Sequence, residues 1–227
     1  MPAARTVAIV LALVLASGCS LVVDPLVSDP AVEGADGSGA TDSDSDSDSD
    51  ENAGSVTGLR VFVTNDSWNG NLSGLGATGP EAADQRCLLA AAEAGLNGRF
   101  LAWLSDDVRA EQRLPDVGPW LLVGTGDMVF ANLEQLAIGP SQAIDRNEYG
   151  FRMAPASVWT GTPAAEDAPV PDERCNRWKG TTTIVPNGDR VYQALTGRTS
   201  ARDASWTEAA FADCTMQAHL YCFEYSP

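Results

Sequence analysis

The sequence predicts an α+β domain over residues 57–227, carried behind an exported and tethered amino end. Three observations predict it. An Ala-rich stretch with helical spacing at 78–95 runs straight into the large apolar segment "RFLAWLS" at 99–105. Short apolar segments then alternate with Gly- and Pro-rich stretches to the carboxyl end. That is the pattern of a helix or two packed on a twisted, mostly antiparallel sheet. Cys87, Cys175, Cys214 and Cys222 are spread through the same region, where they can staple its irregular parts.

The chain has 227 residues, enough for one ordinary domain plus appendages. At its start Arg5 supplies a positive charge, and "VAIVLALVLA" at 7–16 is a short apolar run followed by small residues. This reads as a secretory signal over 1–18, because the run is too short for a membrane span. Leu15-Ala16-Ser17-Gly18-Cys19 resembles a bacterial lipobox. The resemblance makes Cys19 the lipidated first residue of the mature chain and its anchor to a membrane. An acylated Cys19 also accounts for the odd count of five cysteines. No Asp follows Cys19, so the outer membrane or the cell surface is the expected destination in a cell with two membranes.

Residues 19–56 read as the lipidated Cys and a tether. The stretch 20–56 holds ten of the 31 acidic residues and no Lys or Arg, and includes "TDSDSDSDSDE". That repeat has no apolar residue to bury, so it cannot offset the entropy of ordering, and its like charges extend it. Its reach is roughly 35 Å as a coil and on the order of 120 Å if drawn straight. Of the 14 basic residues only Arg5 precedes residue 57, so 57–227 carry 21 acidic against 13 basic groups, a net −8. A chain of net charge −17 is a poor partner for nucleic acid or polyanions.

Within the domain, "LRVFVT" at 59–64 alternates and reads as the opening strand. The Gly- and Asn-rich "NDSWNGNLSGLGATG" follows as a loop. Thr78 then reads as a helix cap with Glu81 three residues on, and Pro80 is tolerated in the first turn. Ala83, Cys87, Ala90, Ala91 and Ala94 recur at helical spacing with Leu88 beside them, while Asp84, Gln85, Arg86 and Glu93 are expected outside. Gly95 is placed to stop the helix in a left-handed conformation. Residues 99–105 are a buried strand, 120–124 a second, and 132–137 a short helix capped by Asn132. Residues 157–162 are strand-like, 163–190 carry four prolines and little regular structure, and 219–225 form the closing strand.

An exported chain meets an oxidising environment, so the four remaining cysteines imply two disulfides, with three connectivities open. One resemblance chooses among them. Ala83-Asp84, Cys87, Ala94-Gly95-Leu96, Gly98, Phe100, Ala102, Leu104-Ser105, Val158-Trp159 and Gly161, then "CNRW" at 175–178 and "HLYCFE" at 219–224, resemble exported bacterial domains related to collagen endostatin. The resemblance implies a C-type-lectin-like fold with two nested disulfides, Cys87–Cys222 outside and Cys175–Cys214 inside. A pairing of Cys214 with Cys222 ranks second. The outer bridge would close a 135-residue loop, which in the chain-entropy model contributes up to about 5 kcal/mol. The resemblance also implies a binding module, and it places Trp103, Trp159 and Trp178 in the core.

It supplies no ligand. The relatives' zinc needs a histidine-rich amino end, and this chain has His219 alone. Their heparin sites need arginine patches, and this domain is acidic. The Glu-Pro-Asn, Gln-Pro-Asp and Trp-Asn-Asp motifs of calcium-dependent lectins do not occur. Paired carboxylates at 106–107, 166–167 and 172–173 read as solvated loop residues, and "VGTGD" at 123–127 lacks the Lys of a phosphate cradle. No cofactor, metal or catalytic residue is expected. Trp68, Trp120 and Trp206 lie at loops or element ends. Trp68, in "NDSWNGN", is the candidate platform for a sugar or a protein. The expected function is a surface binding or adhesion module for a protein or glycan. A structural envelope lipoprotein without a ligand, or a carboxylate-dependent hydrolase, are the alternatives.

Overall fold

Alternation in "LRVFV" does form the first strand, β1 (Leu59–Val63), which lies at the centre of a five-stranded sheet. A computed structural model describes residues 57–75, 77, 79–165, 174–185 and 188–226 of the chain. Cys19, the signal, the tether, Thr78 and the carboxylates at 166–167 and 172–173 lie outside the described residues. The other strands of this sheet are β2 (Arg99–Ala102), β3 (Trp120–Leu122), β4 (Met128–Phe130) and β10 (Tyr221–Tyr225), in the order β2-β10-β1-β3-β4. All neighbours are antiparallel except β1 and β3.

Because side chains alternate along a strand, the sheet divides its residues between two cores. Phe62, Phe100, Ala102 and Cys222 enter one. Val61, Val63, Trp120, Leu122, Tyr221 and Phe223 enter the other. Helix α1 (Pro80–Glu93) belongs to the first core through Ala83, Cys87 and Ala91, four residues apart on one stripe. These small groups let the helix approach the sheet closely. Its end is as expected: Gly95 takes φ +72°, and Leu96 and Gly95 donate to Ala91 and Ala92 carbonyls at 2.8 and 3.0 Å.

Three expectations about this helix need correction. Its cap position is Gly79, with φ +63° and no side-chain capping bond. Leu88 is exposed, since the seam is made by the smaller residues. Asp84 is not outside. Its carboxylate accepts the Ala102 amide at 2.9 Å and pairs with Arg113 at 2.5 Å, fixing helix to strand where a bare Asp would be expected in water.

The structure is α+β with mixed sheets and few helices, but the described residues form three sheets rather than one. A second sheet is β5-β8-β9, from β5 (Ser157–Trp159), β8 (Gln193–Arg198) and β9 (Ala210–Asp213). The apolar run 99–105 shows why. Trp103 still donates to Tyr221 in the first sheet, whereas Ser105 donates to Thr160, just past β5. One buried run thus serves two sheets and cannot remain a single strand. A hairpin of β6 (Thr182–Val185) and β7 (Gly188–Val191) also stands where little structure was expected. The β-branched run "TTTIV" favours a strand there, and the prolines at 163, 169 and 171 precede it.

The two cysteine pairs are Cys87–Cys222 and Cys175–Cys214, each with Cα atoms 5.5 Å apart. The first joins α1 to β10. The second joins the end of β9 to a turn at 175–178. "Nested" describes only their order along the chain. In space neither bridge encloses the other, and both contribute to the same core. The turn is left-handed: Cys175, Asn176, Arg177 and Trp178 have φ of 47°, 52°, 58° and 61°. It is held by the bridge, by the buried Trp178 ring donating to the Ser105 carbonyl at 2.8 Å, and by ion pairs of Arg174 and Arg177 with Asp106 and Asp107. Among the described residues no helix is long and apolar enough to cross a membrane.

Candidate functional site: an apolar cleft

Two short helices wall a cleft of about 410 Å³. Helix α2 (Ala110–Arg113) follows the buried Asp106 turn, and Ala110 donates to the Ser105 hydroxyl at 2.9 Å. Helix α3 (Leu133–Ile138) is capped as expected, the Asn132 side chain accepting from Gln135 at 3.0 Å. The Trp206 indole donates to the Leu136 carbonyl at 3.2 Å and ties α3 to the core. The third wall is the segment 162–164. Arg109 holds it by donating to the Pro163 carbonyl at 3.0 Å, and Glu208 by accepting from the Ala164 amide at 2.8 Å.

The floor is Trp103 with Leu133, Leu136 and Ala137, and Pro163 and Ala164 face them. Floor polar groups are already engaged. Trp103 donates to the Thr207 hydroxyl at 2.9 Å, and Thr207 donates to the Thr162 carbonyl at 3.1 Å. Charge collects at the mouth, where Arg109 pairs with Glu111, and Gln112 and Glu134 stand nearby. An apolar interior, engaged polar floor and charged lip suit an apolar group presented on a polar chain. None of these residues was singled out from sequence. The signal available was the short amphipathic "NLEQLA", legible as a helix but silent about what faces it.

Trp68 is elsewhere. It is half-buried, and its amide and carbonyl pair with Ala218 at 2.9 Å each. Its carbonyl also accepts the Trp159 indole at 2.8 Å, and Arg86 lies over its ring, 4.9 Å from the centroid. The loop is seated by Gly70, where a Cβ would fall 2.1 Å from the Cys175 sulfur. The other five Trp are buried, including Trp120 and Trp206, read from sequence as lying at element ends. His219 is pinned in the same region, Nδ1 lying 2.8 Å from the Thr64 carbonyl and 3.0 Å from that of Asp66.

The carboxylates are less solvated than sequence suggested. Asp106 is buried against Arg174 and Arg177, while Asp107 is exposed. Burial holds the Asp84 carboxyl above the usual range, although Arg113 opposes the shift. Glu148 is only 5 % exposed, and burial likewise raises it, with the Asn65 amide at 2.8 Å opposing. "VGTGD" is the tight β3–β4 turn, with Gly124 and Gly126 at φ +87° and +74°. Among the described residues no group of three or more His, Cys, Asp or Glu could hold a metal. No protein-family model matches the chain, and no curated protein matches it.

Proposed function

We propose that this chain is an envelope lipoprotein whose domain, 57–227, is an endostatin-like, C-type-lectin-like binding module. Its cleft takes an apolar side chain of a peptide or protein partner. The cleft between α2 and α3 carries the reading: its floor is apolar, the polar atoms of Trp103 and Thr207 there are hydrogen-bonded, and charged side chains line it. An apolar floor of this kind suits recognition and release of an apolar side chain. The two disulfides belong to an oxidising, non-cytoplasmic compartment. That supports export. The cysteine pairs are also those implied by the resemblance. Anchoring at Cys19 and the reach of the acidic tether would hold the module away from an outer membrane or cell surface.

Two experiments test this. Cys19→Ser should move the protein from the membrane fraction to the soluble one, and unchanged partitioning would refute the anchor. The soluble Cys19→Ser chain should select peptides with an apolar residue flanked by polar ones from a display library. Ala137→Trp, on the exposed side of α3, fills the cleft and should abolish that selection. Equal selection by the filled cleft, or turnover of a polymer by the chain, would overturn the reading.

A further inference from the structure

A second surface is built inside out. Arg146 and Arg152 pair as an isolated antiparallel bridge, and residues 147–151, "NEYGF", form the tip between them. The polar members of the tip point inward. Asn147, 4 % exposed, accepts from the Tyr149 and Phe151 amides at 3.2 and 2.9 Å and donates to Asn65 at 3.2 Å. Glu148 is clasped by the Asn65 amide. Gly150, at φ +80°, lies against Gly124 so closely that a Cβ on it would be 2.9 Å from the Gly124 Cα. Arg146 adds a bond to the Gly150 carbonyl at 3.2 Å. What projects is aromatic: Tyr149 is 48 % and Phe151 70 % exposed. Their ring centroids are 6.5 Å apart with planes at 29°, so the two rings are nearly parallel.

Burying an Asn and a Glu while exposing a Phe and a Tyr reverses the usual placement. A fixed backbone beneath two nearly parallel rings is pre-organised for something flat and apolar. We infer that Tyr149 and Phe151 form a stacking site for an uncharged glycan. A pyranose has the matching shape: an apolar C–H face for the rings and a rim of hydroxyls. A polar neighbour for that rim follows Phe151 in the chain: the exposed Arg152, paired with Asp145 at 2.7 Å. A protein hot spot would instead sit within a larger apolar patch that seals out water, and Phe151 is followed by the exposed, charged Arg152. The net −8 of residues 57–227 disfavours sulfated or uronic chains. This goes beyond the peptide reading of the cleft and uses none of its residues.

The full chain carrying Cys19→Ser is tested for retention on cellulose, chitin and immobilised maltodextrin, with heparin as the charged comparison. At least one uncharged polymer should retain it, and heparin should not. Tyr149→Ala with Phe151→Ala should weaken retention about tenfold, as expected for two ring contacts, without changing the melting curve of these exposed positions. Phe151→Trp should restore it in the Tyr149 background. Ala137→Trp should leave it unchanged, which separates this site from the cleft. Retention on none of the uncharged polymers, or equal retention by the double variant, overturns the inference.

Discussion

The two faces of the main sheet solve the same problem with different means. On one, α1 supplies Ala83, Cys87 and Ala91, and both disulfides lie in the core. On the other, Trp103, Trp120, Phe130, Trp206, Tyr221 and Phe223 form a continuous ring cluster. The Trp103–Trp206 and Phe130–Trp206 centroids are 4.8 and 5.0 Å apart. An alanine removes little apolar surface from water, whereas each large ring buries about 150–250 Å². The helix seam therefore leans on covalent bonds, although Phe62, Phe100, Trp159 and Trp178 fill the rest of that core, and the other face leans on aromatic area. The binding surfaces follow the division. The cleft opens over the aromatic face at Trp103 and Leu136, while Trp68 packs against the disulfide face.

The sharpest way to break the contrast is to remove the outer bridge. Cys87→Ala with Cys222→Ala should cost about 4–5 kcal/mol, the chain-entropy value for a 135-residue loop. Urea unfolding measures it. A cost below about 1 kcal/mol would show that the alanine face holds itself. Next comes Phe223→Ala, which strips four ring partners, Trp103, Trp120, Phe130 and Trp206. It should cost about 3–5 kcal/mol and reduce the near-ultraviolet circular dichroism. The bridge variant should keep more of that signal at equal stability.

Gly70→Ala drives a methyl into the inner bridge, at 2.1 Å from the Cys175 sulfur, and should cost about 1–3 kcal/mol. Its mark is local: Trp68 emission should shift to the red as its loop lifts. The smallest effect concerns pH. The Glu148 carboxyl is raised in the folded chain, so its contribution is fully present below the unfolded carboxylate value and is lost as pH rises through the folded one. Glu148→Gln keeps an acceptor for the Asn65 amide and removes that loss. Relative to the parent it should gain stability as pH rises above the ordinary carboxylate range, with the two unfolding midpoints converging at low pH.

Legibility divided along the same line. The first face was open to reading because Ala83, Cys87, Ala91 and Gly95 repeat at helical spacing, and strands β1 and β10 alternate. Trp103 was expected in the core and lies there, but Trp120 and Trp206 were read as end positions. Nothing local marks a residue whose burial comes from partners as far as 103 positions away along the chain. The cleft was hidden for the same reason. It is assembled from α2, α3, 162–164 and Thr207, none of which carries a motif. Asp84 and Asp106 were misjudged, and Glu148 passed unread, because charge was equated with exposure. Each is instead covered by a guanidinium or a backbone amide that sequence adjacency does not reveal.

The left-handed turn at 175–178 has a consequence of its own. L-residues wound this way lose about 1–2 kcal/mol each, and Cys175 and Trp178 are committed to the bridge and the core. Asn176 and Arg177 are exposed. A D-asparagine introduced at 176 by chemical ligation would find there the winding it prefers. On a chain made wholly of L-residues, that position offers a mirror-image building block a better seat than the native one has.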